Sequence, residues 1–236
     1  MDTQDDHDSY FETWTDGVFT DDQLVYRMFL DVTKGYVQGD VLDIGCGSRV
    51  YYDTSAVRLW IGVDLSAHLL GNIKFLGGVQ PAGPIETLKH DCRETGLPDQ
   101  SVDFVCAILV LHHLARDNNR RSREIITEAM REAHRVLRPG GTMIVLESWP
   151  HILLHIYGLV FSILYPIMHR LFKVELPLFF TARQFSRMAA DAGFTIRHVL
   201  SIPIYDAVRY PVGGFVSPAW FQRFTHKYGF YHYKKT

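Results

Sequence analysis

Two glycines and a carboxylate have the types and spacing to bind a small molecule. A short apolar run leads into Gly45-Cys46-Gly47, and a second apolar run ends at Asp64. A Gly-x-Gly turn that follows a buried strand directs backbone N–H groups towards a ligand. A carboxylate at the end of the next strand accepts hydrogen bonds from the vicinal hydroxyls of a ribose. This pattern indicates a nucleoside site.

The kind of nucleoside follows from residues that the sequence lacks. The dinucleotide fingerprint requires a third glycine where this sequence has Val50, and no Gly-Lys-Ser/Thr is present to form a phosphate-binding loop. Asp43, two residues before the first glycine, would repel a pyrophosphate and attract an ammonium group. An adenosine-containing ligand without phosphates therefore fits best.

These residues resemble motif I of the class I S-adenosylmethionine (SAM)-dependent methyltransferases, Asp-x-Gly-x-Gly. Three later segments resemble the type-11 methyltransferases in the same order. They are residues 97–104 (Leu-Pro-Asp-Gln-Ser-Val-Asp-Phe), residues 111–113 (Leu-His-His) and residues 134–141 (His-Arg-Val-Leu-Arg-Pro-Gly-Gly). The agreement in order and spacing makes the resemblance specific over residues 40–202.

The resemblance implies SAM as the cofactor and S-adenosylhomocysteine as its product. It assigns the ribose to Asp64, the adenine edge to Asp91-Cys92 and the methionine portion to residues 43–47. The predicted cofactor-binding residues are Asp43, Gly45, Cys46, Gly47, Asp64, Leu65, Asp91, Cys92 and Leu109. No metal is expected, because the three cysteines lack metal-ligand spacing.

Candidates for catalysis lie where the fourth and fifth predicted strands end: His112, His113 and Glu147. A general base contributes only when the acceptor still holds its proton, and imidazole titrates in the useful pH range. The alternative for each histidine is a structural hydrogen bond, and Glu147 either orients the substrate or faces solvent. Candidate substrate contacts are Tyr51 beside the glycine loop, Tyr10 and Trp14 in an N-terminal lid that the resemblance implies, and Tyr157.

Alternating strand and helix patterns predict a doubly wound, mostly parallel α/β sheet. The resemblance extends it to a seven-stranded, Rossmann-like methyltransferase sheet with an antiparallel last strand. Strands are predicted at residues 40–44, 59–63, 86–90, 105–111, 142–146, 194–202 and 207–212. Helices are predicted at residues 22–33, within 50–58, and at 68–76, 123–137 and 181–192, the last with a capping box at Thr181.

An unusually apolar segment, residues 151–172, follows the fifth strand. Its nearly continuous apolar part, residues 152–168, is at the lower length limit for a membrane-spanning helix. Interruption by Gly158 and Pro166, and its position within one fold, argue against a span. Three interpretations stay open: a helical insert capping the strands, a lid over an apolar substrate, and contact with a membrane surface or another subunit through residues 150–172.

A single methyltransferase domain is expected over residues 1–236. Its predicted parts are an N-terminal lid and helix (1–39), the SAM-binding core (40–148), an apolar helical cap (149–180), and a C-terminal helix, strands and aromatic tail (181–236). The net charge of −2 argues against nucleic acid as the main partner. The acidic N-terminus does not resemble a signal peptide, so a cytoplasmic protein, with or without peripheral contact with a membrane, is expected.

The predicted function is methyl transfer to a small, mainly apolar acceptor such as a quinone-, polyketide- or lipid-like compound. One alternative is a SAM-fold protein that no longer methylates. Arg49 keeps it open, because many family members have glycine there and a cation directed at the sulfonium would weaken binding. Another is a non-catalytic interaction protein that uses the apolar segment.

Overall fold

The structure is a computed structural model that describes residues 24–75, 79–114, 119–150, 180–202, 211–212, 215–216 and 226–235. The strands are β1 (Gln38–Ile44), β2 (Arg49–Val50), β3 (Ala56–Asp64), β4 (Lys74–Phe75), β5 (Ile85–Lys89), β6 (Val102–Ile108), β7 (Leu137–Pro150), β8 (Phe194–Ile202), β9 (Pro211–Val212), β10 (Phe215–Val216) and β11 (His226–Lys235). The helices are α1 (Leu24–Thr33), α2 (Ala67–Leu70), α3 (Asn119–Val136) and α4 (Ala182–Asp191), with a 3₁₀ turn at Leu111–Leu114.

Seven strands form one sheet in the order β5-β3-β1-β6-β7-β11-β8. Neighbours from β5 to β7 are parallel, and β11 runs antiparallel to both β7 and β8. This confirms the predicted mostly parallel, seven-stranded sheet. The strand order reverses between β1 and β6, and open α/β sheets bind ligands at the carboxyl ends of the strands at such a switch point.

Alternate residues of the central strands fill two clusters of buried apolar side chains. On β1, Leu42 belongs to a cluster that includes Met130 of α3 and Phe185 of α4. Its neighbour Val41 belongs to a second cluster, with Phe29 of α1. Successive side chains of a strand point to opposite faces. Both faces of the sheet are therefore covered, as parallel strands require.

The connections on either side of β3 differ from the prediction. Instead of a short helix within residues 50–58, the chain forms β2, which pairs in parallel with β4. Instead of a helix over residues 68–76, α2 makes a single turn and is capped by Gly71. Lys74 N donates to Ser48 O at 2.8 Å, which extends the pairing of β2 with β4. Residues 49–50 and 74–75 thus pair with each other where helices were predicted.

Strand β6 begins and ends three residues earlier than predicted. It ends at Ile108, because the next residue, Leu109, has the left-handed φ of +54° and turns the chain out of the sheet. At its other end, Val102 is paired with Leu137. Strand β7 is longer than the predicted 142–146, because β11 pairs with it as far as Pro150.

The prediction of the last strand at residues 207–212 was wrong. The antiparallel strand is β11, and Pro211–Val212 pairs with Phe215–Val216 in a separate two-stranded ladder. The buried aromatic rings of β11 explain the difference. Tyr231 and Tyr233 stack with ring centroids 5.7 Å apart, and Phe230 packs in the opposite cluster. Aromatic residues favour pleated, half-buried positions.

Helix α4 confirms the predicted capping box. The amide of Gln184 donates to Thr181 Oγ1 at 3.3 Å, and Gln184 Oε1 accepts from Thr181 N at 2.8 Å. Thr181→Ala removes the acceptor for one helical amide and is expected to lower the free energy of unfolding by about 0.5–2 kcal/mol in urea denaturation. Thr181→Ser keeps the hydroxyl and is the matched control. Equal losses in the two variants would contradict this account.

Several predictions fall outside the described residues. These are the N-terminal lid with Tyr10 and Trp14, the apolar segment 151–172 with Tyr157, and the start of the first predicted helix. Within the part of the chain that the structure describes, no helix is both long and apolar enough to cross a membrane.

Candidate cofactor and active site

The glycine loop follows β1 and is closely packed. Gly45 and Gly47 have φ values of +60° and +58°, in the left-handed region that favours glycine. A Cβ at Gly45 would lie 2.0 Å from Val110 Cγ2, so the segment after β6 packs directly against the loop. A Cβ at Gly47 would have no heavy atom within 4 Å. The loop is therefore closed against Val110 and open at Gly47.

The loop amides bond to the end of β3, which differs from the interpretation that they face a ligand. The N–H groups of Gly45 and Cys46 donate to Val63 O at 2.7 and 3.2 Å. That of Gly47 donates to Asp64 Oδ2 at 2.9 Å. The thiol of Cys46 is buried, and burial raises its pKa well above the usual value. All three loop amides thus already have acceptors at the end of β3.

Asp64 lies at the carboxyl end of β3 and joins the loop to the following turn. Besides Gly47 N, it accepts from Ser66 N at 2.9 Å through Oδ1. A carboxylate has about four lone-pair sites, so these two amides do not exhaust its capacity. Leu65 follows directly and is half-buried. Contact of both residues with a ribose stays a prediction.

Asp43 is buried at the end of a chain of hydrogen bonds. Trp60 Nε1 donates to the hydroxyl of Tyr52 at 2.7 Å, and that hydroxyl donates to Asp43 Oδ2 at 2.9 Å. The other oxygen, Oδ1, is buried and has no hydrogen-bond partner among the described residues. An unsatisfied buried acceptor is uncommon. The ammonium group of SAM would donate to this oxygen, and its positive charge would favour the ionised carboxylate that burial disfavours in the unliganded protein. These residues therefore fit the cofactor that the resemblance implies.

Burial raises the pKa of Asp43 to about 8; the hydrogen bond from Tyr52 opposes this rise, and the negative charge of Asp64 adds to it. From an unfolded pKa of about 4 up to about pH 8, the folded protein holds a proton that the unfolded chain has released. The free energy of unfolding of the unliganded protein is therefore expected to fall as pH rises across this range.

Asp43→Asn is expected to flatten this slope in urea denaturations carried out over a series of pH values. Asp53→Asn is the control. Burial raises the pKa of Asp53, but hydrogen bonds from Gly35 N, Ser55 N and the Ser55 hydroxyl more than offset this and leave it below the usual value. The ionisation of Asp53 therefore increases the free energy of unfolding as pH rises through the acidic range. An unchanged slope in Asp43→Asn would show that Asp43 is ionised throughout.

Asp91 and Cys92 follow β5, and Asp91 already has a cationic partner. Arg93 Nη2 lies 2.6 Å from Asp91 Oδ2, and Arg93 Nε donates to Oδ1 at 3.0 Å. Burial raises the pKa of Asp91, but the hydrogen bonds from Arg93 outweigh it and leave the value lowered. Burial raises the pKa of the Cys92 thiol to about 12. An adenine amino group would share this carboxylate with Arg93.

The turn after β6 brings the catalytic candidates together. Leu109 N donates to Leu146 O at 2.8 Å, and Leu111 N donates to Glu147 Oε1 at 2.7 Å. Glu147 is fully buried, and its Oε2 lies 2.9 Å from His112 Nδ1. The rings of His112 and His113 have centroids 4.0 Å apart. Glu147 therefore does not face solvent, contrary to one of the two expectations for it.

Tyr51 and Arg49 are two further residues that the sequence analysis singled out, and both follow the glycine loop. Tyr51 packs against the buried cluster that contains Trp60. Arg49 has its backbone paired with Lys74 in the small ladder. Among the described residues, no three His, Cys, Asp or Glu side chains are placed to hold a metal ion.

Trp60 and Val110 are site residues that the sequence analysis missed. A tryptophan within a buried strand must find a partner for its indole N–H, which was an available signal for the contact with Tyr52. No sequence signal indicated that Val110 covers Gly45.

The chain is similar to known methyltransferases in sequence and in fold. A methyltransferase-domain family model matches residues 42–145. A tRNA (carboxymethyluridine(34)-5-O)-methyltransferase of Arabidopsis thaliana is 30% identical over 105 residues, 44% of this chain and 23% of that protein. The chain spans less than half the length of each curated relative it matches, 23 to 49%.

Two solved structures share the fold. A SAM-dependent methyltransferase from Methanosarcina mazei aligns with a TM-score of 0.58 and 17% identity over 86% of this chain and 96% of its own. The cyclopropane synthase MmaA2 from Mycobacterium tuberculosis aligns with a TM-score of 0.60 and 15% identity over 93% of this chain and 87% of its own. Since the family model covers the strands that carry the glycine loop, Asp64 and the turn after β6, the resemblance to the class I SAM-dependent methyltransferases is confirmed for residues 42–145, which match a type-11 methyltransferase domain.

Proposed function

We propose that this protein transfers the methyl group of SAM to a small, mainly apolar acceptor. The observation that carries the proposal is the unsatisfied buried oxygen of Asp43 beside the glycine loop, with Asp64 at the next strand end. An ammonium group at Asp43 and ribose hydroxyls at Asp64 are both supplied by SAM. The cofactor provides a methyl group on positively charged sulfur, and the protein's task is to align the acceptor and exclude water.

The choice of acceptor is supported by the composition of the segment that comes next in the chain. Strand β7 carries Glu147 and ends at Pro150, at the same sheet edge as the glycine loop. The apolar segment 151–172 follows this strand directly in the sequence. A lid of this composition favours an apolar acceptor, and Tyr51 and Tyr157 remain the proposed contacts. The net charge of −2 disfavours a polyanionic acceptor, although one relative bears the name of a tRNA methyltransferase.

The first experiment is a calorimetric titration of the purified protein with SAM and with S-adenosylhomocysteine. Binding of both in the micromolar range is expected, with ATP as a control ligand that carries adenosine but no ammonium group. No binding of either ligand would overturn the proposal and favour an interaction protein.

The second experiment measures release of S-adenosylhomocysteine with separate acceptors: an alkylphenol, a reduced quinone, a fatty acid in detergent, and total tRNA. Turnover with one or more of the apolar acceptors is expected. Turnover with tRNA alone would replace the proposed acceptor class. Cofactor binding without turnover on any of them would favour a SAM-binding protein that no longer methylates.

A further inference from the structure

The carboxylate of Glu147 is buried on β7, and the partners that the structure shows for it come from the turn after β6. It is 0% exposed, accepts from Leu111 N at 2.7 Å and lies 2.9 Å from His112 Nδ1. Removing a carboxylate from water costs several kcal/mol unless donors replace the lost hydration. The backbone amide and the imidazole supply that replacement, so the conformation of the turn and the orientation of the His112 ring are linked.

This contact links the tautomer of His112 to the state of Glu147. An ionised carboxylate can only accept hydrogen bonds, so with Glu147 in that state Nδ1 is the donor. In a neutral imidazole with its proton on Nδ1, the lone pair that accepts a proton belongs to Nε2. The His112 side chain is 16% exposed, whereas the side chain of Glu147 is inaccessible. A substrate can therefore meet His112 but not Glu147.

The pair lies next to the loop that the cofactor is expected to contact. Val110, two residues before His112, covers Gly45 so closely that a Cβ there would lie 2.0 Å from Val110 Cγ2. Strands β1 and β6 are adjacent and parallel, so the glycine loop and the His112 turn leave the same sheet edge. His113 is the other ionisable group shown against the His112 ring.

We propose that His112 is the general base of the methyl transfer, that Glu147 positions it, and that the acceptor carries a weakly acidic hydroxyl, as in a phenol or enol. The proposal rests on the proposed function. The hydroxyl proton moves to His112 Nε2 while an oxygen electron pair forms the O–CH₃ bond. The S–CH₃ bond breaks with its electron pair going to sulfur. The products are a methyl ether, S-adenosylhomocysteine and an imidazolium that returns its proton to solvent.

The first test needs neither cofactor nor acceptor. In ¹⁵N-histidine NMR spectra, the His112 signals are assigned by their loss in His112→Gln. The Nδ1–H tautomer is expected in the wild type. Glu147→Gln keeps the side-chain size but presents an amide N–H to Nδ1, so the tautomer is expected to reverse. An Nε2–H tautomer in the wild type, or no change in Glu147→Gln, would overturn the positioning role.

The second test separates a base from a structural residue by using two acceptors of similar shape. One is an alkylphenol that keeps its proton at the assay pH, and the other is its nitro-substituted analogue, which is ionised there. His112→Gln and Glu147→Gln are expected to lower kcat/KM for the un-ionised phenol by about 10²–10⁴-fold. For the ionised phenol, which has no proton to lose, the loss is expected to be less than about tenfold. His68→Gln, on the exposed part of α2, is the control and is expected to affect neither.

Equal losses with both phenols would assign His112 a structural role and overturn the inference. The affinity for SAM is expected to be unchanged in all three variants. Loss of SAM binding in His112→Gln would likewise assign His112 a structural role and overturn the inference. Turnover of the fatty acid or tRNA but of neither phenol would overturn the acceptor class while the methyltransferase function stands. Failure of the wild type to bind SAM would instead overturn the proposed function.

Discussion

Replacement of Asp64 with alanine is expected to weaken the binding of SAM by about 10–150-fold, the equivalent of about 1.5–3 kcal/mol for a hydrogen-bonded pair that includes a charged group. Asp64 stands at the carboxyl end of β3, next to the switch point of the sheet. Its carboxylate would receive the two ribose hydroxyls, and alanine offers no acceptor. Calorimetric titration of the wild type and the variant measures the difference directly.

The control for Asp64→Ala tests the structural role of this side chain, which is separate from its expected contact with the ribose. Asp64 also accepts from the amides of Gly47 and Ser66, so its removal loosens the loop. Asp53 likewise accepts from two amides, Gly35 N at 2.7 Å and Ser55 N at 3.1 Å, but ties α1 to the segment after β2. Asp53→Ala is expected to lower stability while changing the SAM dissociation constant less than about twofold. An unchanged affinity in Asp64→Ala, or an equal loss in Asp53→Ala, would refute the ribose assignment.

Gly45→Ala is expected to have the largest effect on stability among simple substitutions in the site. A left-handed backbone costs a non-glycine residue about 1–2 kcal/mol, and forcing a methyl group into a closely packed position costs about 1–3 kcal/mol more. The new Cβ would lie 2.0 Å from Val110 Cγ2, so Val110 and the turn that carries His112 must move. A loss of about 2–5 kcal/mol in the free energy of unfolding is expected, together with weaker SAM binding.

Gly35→Ala is the matched control for Gly45→Ala. Gly35 has a φ of +65°, close to that of Gly45, but a Cβ there would have no heavy atom within 4 Å. Its substitution therefore measures only the cost of holding alanine in a left-handed conformation, about 1–2 kcal/mol. Both variants are compared by urea denaturation at one pH. Equal losses would show that Val110 gives way easily and that the loop and the turn are not coupled.

The sheet was predictable where local chemistry and burial agree. The capping box at Thr181, the strand at residues 194–202 and the glycine loop each have a signal within a few residues, and the structure confirms all three. Strand β6 was displaced in the prediction because its apolar run continues past Ile108, whereas the sheet ends where Leu109 turns. A single left-handed residue with an ordinary aliphatic side chain leaves no mark in the sequence.

The last strand was missed for a different reason. Its aromatic side chains are divided between the two faces of the sheet, so they show no simple alternation of apolar and polar residues. Tyr231 and Tyr233 are buried on one face and Phe230 on the other. Because β11 lies between β7 and β8, both faces and both edges of it are covered. Only the assembled sheet reveals this position.

Within the site, the sequence indicated residue types but not partners. Asp43 and Asp64 were recognised by spacing, yet the buried hydrogen bonds from Trp60 through Tyr52 to Asp43 depend on how β3 packs beside β1. The pairing of Glu147 with His112 joins residues 35 positions apart. Such contacts arise from neighbouring strands and not from periodicity, and so the distinction between a base and the group that positions it required the structure.

The place of β11 in the sheet has a consequence for how the protein is made. The described strand order puts β8 beside β11 and away from β7. During translation, β7 and residues 194–202 are synthesised before residues 226–235 exist. In that interval β7 presents a bare edge, and bare edges recruit other chains. When β11 has been synthesised, it pairs with this edge of β7 and gives β8 a strand to pair with. Lys235 then donates to His134 O and Leu137 O, both at 2.7 Å, and so joins the new strand to the end of α3. A nascent chain of this protein is therefore vulnerable to aggregation until its last strand has been synthesised.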